Sequence, residues 1–425
     1  MISDQWLDSG VENVEYGLIG EKLGHSFSAP IHEQLTGEAY ELREIAPEDL
    51  DAFMRGKAFR AINVTIPYKQ AVIPYLDEIS ETARAIGAVN TVVNRNGKLY
   101  GDNTDCDGLT RLILRVCPDP AGKKTLVLGT GGTSRTAVYA ARMLGADPVI
   151  RVSRGGREGA ATYEEARRMH SDAALIINTT PCGMFPHDGE APVSLGDYPG
   201  TQAVADAVYH PLRTALVTEA RRRGIPAEGG LYMLAAQAVR AAGIFRNTIY
   251  DPARTEEIFR RIMREKENIV LTGMPGSGKS AVAAILGETL KRQVIDTDQE
   301  IVRRAGMEIT EIFRQFGEPY FRDLESRVIR EAAQETAVII STGGGAVLRE
   351  ENVDAMRRNG RLFWLDRDEK ELIPTDDRPL ADSLEKMQAL YRQRKPVYEA
   401  TADERIPVTG TASDTAKTIE GRWNA

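Results

Sequence analysis

The sequence has little cysteine, little histidine and no long apolar run. Its 425 residues include three cysteines, Cys106, Cys117 and Cys182, whose spacing fits neither a metal site nor a redox pair. Five scattered histidines offer no zinc pattern. No stretch approaches the roughly 18 apolar residues that a membrane helix needs. The sequence therefore excludes a zinc centre and a membrane-spanning helix.

A basic surface and a secretory signal are also missing. The formal net charge of −8 disfavours a nucleic-acid partner. The N-terminus lacks the basic head and apolar run of a secretory signal, and thiols without disulfides are typical of a reducing compartment. We therefore expect a cytoplasmic protein without nucleic-acid or membrane partners, with monomer and homodimer both open.

The order of apolar segments predicts the fold class. Short apolar strands alternate with helical stretches, which favours an α/β protein whose parallel sheets are covered by helices. The length of 425 residues indicates several domains. An amphipathic helix over 253–268 becomes charged just before a strand, so we place a domain boundary near Glu265. The strands are expected at 16–20, 61–66, 125–129, 174–178, 268–273, 337–341 and 361–366.

A phosphate-binding loop is predicted in the C-terminal half. The segment GMPGSGKS matches the pattern G-x-x-x-x-G-K-[ST] at every required position, between a predicted strand and a predicted helix. In such a loop the backbone N–H groups hold phosphates, the lysine neutralises charge and the hydroxyl binds Mg²⁺. The residues expected to bind ATP are Gly273, Gly276, Ser277, Gly278, Lys279 and Ser280.

Two carboxylates follow the next strand of this half. Asp296 and Asp298, at i and i+2, point the same way if the segment is extended. One of them can hold the metal and the other can face the hydroxyl group of a phosphate acceptor. We predict that Asp296 binds Mg²⁺ and that Asp298 faces the acceptor.

The segment GTGGTS resembles a dinucleotide-binding turn in the N-terminal half. It joins a strand to a helix, although Ser134 replaces the third glycine of G-x-G-x-x-G. Ser153 and Arg154 lie about 20 residues further on, where an NAD-binding chain usually carries an acid. These residues favour NADP(H) over NAD. The turn residues expected to contact the cofactor are Gly129, Gly131, Gly132 and Thr133.

Seven motifs of the N-terminal half resemble those of shikimate dehydrogenases, over roughly residues 14–262. They are GHSFSAP (24–30), NVTIPYK (63–69), GAVNT (87–91), GDNTD (101–105), INTTPCGM (177–184), DAVYHPLRT (206–214) and GLYMLAAQ (230–237). The resemblance implies substrate contacts by Ser26, Ser28, Thr65, Asn90, Tyr209 and Gln237. Ser26 and Ser28 also fit capping of the helix that starts near Pro30. Ala29 departs from the proline that many relatives have there.

Lys69 and Asp105 are the predicted catalytic pair. Hydride reduction of a ketone builds an alkoxide, so a proton donor must lie at the carbonyl oxygen. The carboxylate can orient the ammonium that delivers this proton, and the family resemblance assigns these roles to both positions. Taken singly, Lys69 fits a surface lysine and Asp105 fits a helix N-cap.

The C-terminal half resembles shikimate kinase over roughly residues 268–425. The resemblance rests on the phosphate loop, FGEPYFRDLE (316–325), TGGGAV (342–347), DDRPL (376–380) and RQRKPVYE (392–399). It implies that Arg378 reaches the transferring phosphate. The lid before Arg378 is shorter than in many relatives and lacks a second nucleotide-contacting arginine. The residues implied to bind shikimate are Asp298, Arg322, Gly343, Gly344, Gly345 and Arg394.

Together the halves predict a bifunctional enzyme of the shikimate pathway that uses NADP(H), ATP and Mg²⁺. The expected domains are a substrate domain over 1–105, completed by about 238–264, a Rossmann domain over 106–237 and a P-loop kinase domain over 265–425. Three alternatives compete: a quinate/shikimate dehydrogenase working with NAD, a kinase of another small hydroxy acid, and a catalytically inactive metabolite sensor. The predicted catalytic residues are Lys69, Asp105, Lys279, Asp298 and Arg378.

Overall fold

The computed structural model describes residues 14–23, 27–372 and 384–424. The chain divides into two compact units. The first comprises the chain up to Cys182, Ala191–Tyr209 and Glu219–Arg260, and the second comprises Gly183–Glu190, His210–Thr218 and the chain from Arg261 onwards. None of the helices in the described ranges combines the length and apolar composition that crossing a bilayer requires.

A six-stranded mixed sheet opens the first unit, in the order β2-β1-β3-β5-β6-β4. Its strands are β1 (Val14–Gly20), β2 (Glu41–Glu44), β3 (Phe59–Val64), β4 (Glu78–Ile79), β5 (Thr91–Arg95) and β6 (Lys98–Asp102). The helices of this part are α1 (Ser28–Thr36), α2 (Leu50–Gly56), α3 (Glu81–Ile86) and α4 (Thr104–Val116).

Strands β5 and β6 form an antiparallel hairpin that the alternation of strands and helices did not predict. Asn96 and Gly97 join them, with φ angles of 54° and 82°. A two-residue hairpin turn of this kind needs positive φ at both positions, and Asn-Gly meets that need best. Because β5 also pairs antiparallel with β3, this sheet is mixed.

A five-stranded parallel sheet completes the first unit, in the order β11-β10-β9-β7-β8. The chain runs from β7 to β8 on one side and then to β9 on the other, so a crevice opens at the carboxyl end of β7. The strands are β7 (Thr125–Leu128), β8 (Val149–Val152), β9 (Leu175–Asn178), β10 (Ala203–Asp206) and β11 (Ala227–Glu228). The helices that follow in sequence are α5 (Gly132–Met143), α6 (Tyr163–Met169), α7 (Ala215–Arg222), α8 (Gly230–Arg246) and α9 (Ala253–Lys266).

The second unit contains a parallel sheet in the order β13-β14-β12-β15-β16. The first strand in sequence, β12, is central, so the loop after it also lies at a point where the strand order reverses. The strands are β12 (Asn268–Thr272), β13 (Val294–Asp296), β14 (Ile339–Ser341), β15 (Gly360–Asp366) and β16 (Glu404–Pro407). The helices are α10 (Lys279–Leu290), α11 (Thr297–Ala305), α12 (Ile309–Gln334), α13 (Glu350–Asn359), α14 (Leu384–Thr401) and α15 (Ala412–Asn424).

The buried residues follow the periodicity of each element. Leu109, Leu112 and Ile113 recur at helical spacing on α4 and pack on the β7–β9 region with no exposed surface. Every residue of β12 is buried because helices cover both faces of its sheet. Each fully buried aliphatic side chain contributes about 2 kcal/mol by leaving water. The α/β fold class predicted from the sequence is confirmed.

Candidate active sites

A cavity of about 670 Å³ lies in the first unit, at the loops that follow β1, β3, β7 and β10. Its volume suits a small ring compound with part of a cofactor. The predicted residues that line it are Ser28, Thr65, Lys69, Asn90, Asp105, Thr133, Tyr209 and Gln237. Ser26 lies outside the described residues.

Lys69 and Asp105 form an ion pair on the wall of this cavity, with Nζ and Oδ2 2.5 Å apart. Asp105 lies in the first turn of α4, but the cap of that helix is Asn103, whose side chain accepts from the Cys106 N–H. The alternative role of Asp105 as the N-cap is therefore wrong. The side chains are 28% and 16% exposed, so the ammonium is screened from bulk water and held by the carboxylate. Such a pair can deliver a proton to a ligand in the cavity.

Asn90 and Gln237 are joined by a hydroxyl group that the sequence reasoning missed. The Thr104 N–H donates to Asn90 Oδ1 at 2.7 Å, and Asn90 Nδ2 donates to Thr104 Oγ1 at 3.1 Å. The Thr104 hydroxyl in turn donates to Gln237 Oε1 at 3.3 Å. Asn63 Nδ2 donates to the Asn90 carbonyl oxygen at 3.1 Å. Asn63 and Thr104 were both missed. They lie within the motifs NVTIPYK and GDNTD, and this position was the signal that could have identified them.

Tyr209 and Ser28 present hydroxyl groups at the cavity. Burial raises the pKa of Tyr209, so its phenol stays neutral and can donate a hydrogen bond. Its ring packs against Phe27 with centroids 5.6 Å apart. Ser28 is the first residue of α1, whereas Phe27 is the N-cap residue. The alternative that Ser28 caps this helix is therefore wrong.

The glycine turn after β7 is closed by a serine. Gly129 has a φ of 113°, and a Cβ there would lie 2.8 Å from Thr179 Oγ1. The buried Ser134 hydroxyl donates to the Gly129 carbonyl oxygen at 2.6 Å, so the residue that replaces the third glycine stabilises the turn. Helix α5 begins at Gly132, and among the described residues no side chain caps it. Its first N–H groups therefore fit the phosphates of a dinucleotide.

Ser153 and Arg154 follow the end of β8, the strand beside β7. The Ser153 hydroxyl oxygen is buried and has no hydrogen-bond partner among the residues that the structure describes. Arg154 is exposed. The exposed Arg154 guanidinium fits a phosphate group better than it fits a bare ribose.

A second cavity, of about 840 Å³, lies in the second unit. The predicted residues that line it are Gly276, Gly278, Lys279, Ser280, Asp296, Asp298, Arg322, Gly343, Gly344, Gly345 and Arg394. Arg378 lies outside the described residues. Residues from the loop after β12 and from the loops after β13 and β14 therefore share one space.

The phosphate loop has the backbone conformation that its glycines permit. Gly273, Gly276 and Gly278 have positive φ angles of 142°, 78° and 96°. Lys279 Nζ donates to the carbonyl oxygens of Gly273 and Met274, both at 2.9 Å, which fixes the ammonium over the loop. Helix α10 starts there, and within the described ranges it has no side-chain cap. The loop therefore fits a nucleotide phosphate.

Ser280 and Asp296 supply the oxygen atoms that a hard cation prefers. Ser280 Oγ donates to Asp296 Oδ2 at 2.7 Å, while Asp296 Oδ1 accepts from the N–H groups of Asp298 and Gln299. Magnesium is usually bound by one or two such protein oxygens, with water and phosphate completing the shell. The donor set fits Mg²⁺.

Two of the arginines that line this cavity are buried. Arg322 and Arg394 are 9% and 4% exposed. Arg322 Nη1 donates to Glu325 Oε2 at 2.8 Å, and its Nε and Nη2 donate to Glu318. Burial raises the pKa of Glu325 despite the neighbouring guanidinium. The sequence reasoning missed Glu325, although it ends the motif FGEPYFRDLE.

The three glycines after β14 bring the backbone close to these groups. A Cβ at Gly343 would lie 2.7 Å from Asp298 Oδ1 and 2.8 Å from Glu325 Oε1. A Cβ at Gly344 would lie 2.6 Å from Pro275, and one at Gly345 would overlap the Arg322 guanidinium. A side chain at Gly344 would meet the Pro275 ring, whereas one at Gly343 or Gly345 would force the neighbouring acidic side chains or Arg322 to move.

The comparisons with family models match both parts of the chain. The model of the shikimate dehydrogenase substrate binding domain matches residues 18–92, and the model of shikimate kinase matches residues 275–421. The NADP(+) shikimate dehydrogenase of Clostridium perfringens strain SM101 is 34% identical over 265 residues, which cover 58% of this chain and 97% of that protein.

Solved structures give the same relationship for the first unit. A chorismate mutase/shikimate 5-dehydrogenase fusion protein from Clostridium acetobutylicum is 34% identical, with a TM-score of 0.55 over 59% of this chain and 98% of that chain. Shikimate 5-dehydrogenase from Thermus thermophilus, in complex with NADP(H) and shikimate, is 32% identical, with a TM-score of 0.52 over 58% and 99%.

The motifs, the two cavities and these relatives agree, and both resemblances inferred from the sequence are confirmed. The C-terminal part of the chain is a shikimate kinase domain, and with its N-terminal part the chain belongs to the shikimate dehydrogenase family.

Proposed function

We propose that the chain reduces 3-dehydroshikimate to shikimate with NADPH and then phosphorylates the 3-hydroxyl group of shikimate with ATP. One observation carries the proposal: two parts of one chain, each with a cavity, match the models of families that are both named for shikimate. The predicted domain limits, 1–105 with about 238–264, 106–237 and 265–425, are part of this proposal. So is a cytoplasmic location, since Cys106, Cys117 and Cys182 form no disulfide.

In the first cavity, the residues of the chain manage the proton and orient the substrate. NADPH, when bound at the glycine turn, supplies the hydride. Lys69 donates its proton to the carbonyl oxygen as the hydride arrives, and Asp105 stabilises the ammonium beforehand. Asn90 and Gln237, which Thr104 holds in place, hydrogen-bond the ring hydroxyls, while Ser28 and Tyr209 donate to the carboxylate.

In the second cavity, the residues of the chain bind the acceptor and balance phosphate charge. Asp298 accepts a hydrogen bond from the attacking hydroxyl, and Lys279 neutralises the charge that develops during transfer. Arg322 and Arg394 bind the acceptor carboxylate through their planar forks. Ser280 and Asp296 would hold Mg²⁺, which would offset the charge of the nucleotide phosphates.

A coupled assay on the purified full-length chain tests the proposal. Dehydroshikimate, NADPH, ATP and Mg²⁺ are combined, and NADPH oxidation and ADP formation are followed together. We expect NADPH oxidation without ATP, and ADP formation from shikimate without NADPH. ADP formation from dehydroshikimate should require NADPH.

The competing functions are separate arms of this assay. A higher rate with quinate and NAD⁺ would indicate a quinate dehydrogenase, and a better acceptor than shikimate would reassign the kinase. A chain that binds shikimate but catalyses neither reaction would be a metabolite sensor. The exposed Arg154 guanidinium, which suits a phosphate group, supports NADP over NAD.

A further inference from the structure

Gln70 and Arg135 connect the two sheets of the first unit beside the proposed dehydrogenase site. Gln70 follows β3 of the mixed sheet, whereas Arg135 lies on α5 of the parallel sheet. With the Gln70 amide oxygen turned toward α5, it accepts from Arg135 Nη2 at 2.7 Å and lies 3.3 Å from Nη1. The hydrogen bond therefore joins the segment that follows β3 to helix α5, beside the cavity that Lys69 and Thr133 line.

The position of Arg135 on its helix is electrostatically unusual. The first turn of a helix favours acidic side chains, because its N–H groups give that end a partial positive charge. Helix α5 has no acid in its first turn and carries Arg135 there instead. A cation at this point opposes the helix dipole, so its presence calls for a partner outside the helix. With its amide oxygen facing α5, Gln70 is that partner; in the opposite orientation its Nε2 donates to the Gly87 carbonyl oxygen at 3.4 Å.

Gln70 directly follows Lys69, the proposed proton donor, in the sequence. The carbonyl oxygen of Lys69 accepts from the Val89 N–H at 2.7 Å, and the Lys69 ammonium pairs with Asp105. Lys69 is thus anchored within the mixed sheet and α4. The cofactor turn, which includes Thr133, lies on the other side of the cleft, only two residues before Arg135. The distance between donor and cofactor depends on how the two sides are held together.

We propose that Gln70 and Arg135 form a cleft link that positions Lys69 relative to the bound cofactor for proton transfer. Both are positioning residues, since neither needs to touch the reacting atoms. The inference rests on the proposed dehydrogenase function of this cavity. In this link the two residues act through one shared hydrogen bond.

A double-mutant cycle on the full-length chain tests the link. We expect Gln70→Ala and Arg135→Ala each to lower kcat for dehydroshikimate reduction about fivefold, the size of one lost hydrogen bond. The double variant should lose no more than either single variant, because the same interaction is removed in each case. The KM for NADPH in Gln70→Ala should stay unchanged, and Gln70→Glu, which keeps the acceptor oxygen, should retain wild-type kcat.

The kinetic isotope effect with deuterated NADPH separates positioning from damage to the fold. A mispositioned Lys69 slows the chemical step, so the isotope effect on kcat should rise in both single variants. A partly unfolded variant would lower kcat without changing that effect. Arg142→Ala, which removes an exposed arginine from the same helix, is the matched control and should resemble wild type. Phosphorylation of shikimate should be unchanged in every variant.

Three outcomes would overturn the inference. Multiplying losses in the double variant would show that the two residues act independently, and a raised KM for NADPH in Arg135→Ala alone would make Arg135 a cofactor ligand. An unchanged isotope effect would assign both residues to structural support. If the wild-type chain does not reduce dehydroshikimate, the proposed function fails together with the link. If the wild type is active but the two substitutions act independently, only the inferred link is refuted.

Discussion

Ser280 and Asp296 are joined by a hydrogen bond of 2.7 Å at the phosphate loop of the second unit. The second carboxylate oxygen of Asp296 caps α11, the helix whose first turn carries Asp298. The Asp296 side chain thus connects Ser280 to the helix that carries Asp298. Charge and capping can be separated by mutation, because asparagine caps a helix as well as aspartate does.

Asp296→Asn should raise the Mg²⁺ concentration needed for half-maximal phosphorylation about tenfold or more, as expected for losing an oriented metal-site carboxylate. The helix cap should survive, so the free energy of unfolding should change little. Titration of kinase activity with Mg²⁺ measures the effect. Asp323→Asn, at a side chain that is 63% exposed, is the matched control. An unchanged Mg²⁺ requirement would remove Asp296 from the metal site.

Lys69→Ala should lower the rate of dehydroshikimate reduction about 100-fold or more, because general acid catalysis contributes that much. Phosphorylation of shikimate should remain near the wild-type rate, since Lys69 lies in the other unit. Steady-state assays of both activities on one preparation measure this. Lys98→Ala, at an exposed lysine, should change neither activity. Loss of both activities in a folded Lys69→Ala chain would contradict independent sites.

Lys279→Ala should have the reciprocal effect. Removing the cation at the phosphates should lower phosphorylation about 100- to 1,000-fold, the range for losing one electrostatic donor. Dehydroshikimate reduction should be retained. ADP formation and NADPH oxidation, followed separately, report the two outcomes. Lys417→Ala removes an exposed lysine of the same unit as a control, and a Lys279→Ala chain that still phosphorylates shikimate would refute the assignment.

Ser134→Ala should weaken the cofactor turn. The Gly129 carbonyl oxygen would lose the hydrogen bond from Ser134, which costs about 1 kcal/mol in the free energy of unfolding and raises the KM for NADPH. Ser134→Gly restores the third glycine of the common pattern but also lacks the hydroxyl, so it should be no better than alanine. Denaturant unfolding and NADPH kinetics measure both effects. Tighter NADPH binding by the glycine variant would show that the hydroxyl is dispensable.

His32 should make the first unit sensitive to acid. Its ring is fully buried between Tyr40 and Phe245, neither nitrogen has a hydrogen-bond partner in the described parts of the chain, and burial lowers its pKa to about 3. The unfolded chain, with an ordinary histidine pKa of about 6.5, therefore binds a proton more readily than the folded chain. The contribution of His32 to stability is full above pH 6.5 and is lost at up to about 1.4 kcal/mol per pH unit as the pH falls toward about 3.

Replacement of His32 by an aromatic residue without a titratable group tests this origin of the pH dependence. The urea midpoint of wild type should drop more between pH 7.5 and pH 5.5 than that of His32→Phe. His187→Gln, at a side chain that is 74% exposed, should follow wild type. Equal pH dependence in wild type and His32→Phe would assign acid sensitivity to other groups.

The sequence predicted the buried strands better than the edge strands. β12 and β15 carry continuous apolar runs because helices cover both faces, and such runs are easy to recognise. β16 has the polar sequence ERIP, since it lies at the sheet edge and buries only one of its four residues. Short edge strands form through pairing with a neighbour, so their own composition carries little signal.

The site was predictable where a motif specifies backbone geometry. Spacing alone indicated the phosphate loop, because its glycines must adopt positive φ. Thr104 and Glu325 escaped prediction because their roles depend on partners distant in sequence or on burial. Thr104 reaches Gln237, and Glu325 holds Arg322 with almost no exposed surface. The roles of the predicted side chains remain predictions, and Arg378 and Ser26 also lie outside the described residues.

The glycine at position 343 is informative when related sequences are compared. Because glycine has no side chain, two carboxylate oxygens can lie close to its backbone. One comes from Asp298 and one from Glu325, and both are under 3 Å from where a Cβ would be. A homologous chain with any other amino acid there must have moved or discarded at least one of those acids. A single codon can therefore indicate whether a related chain keeps both carboxylates in this arrangement.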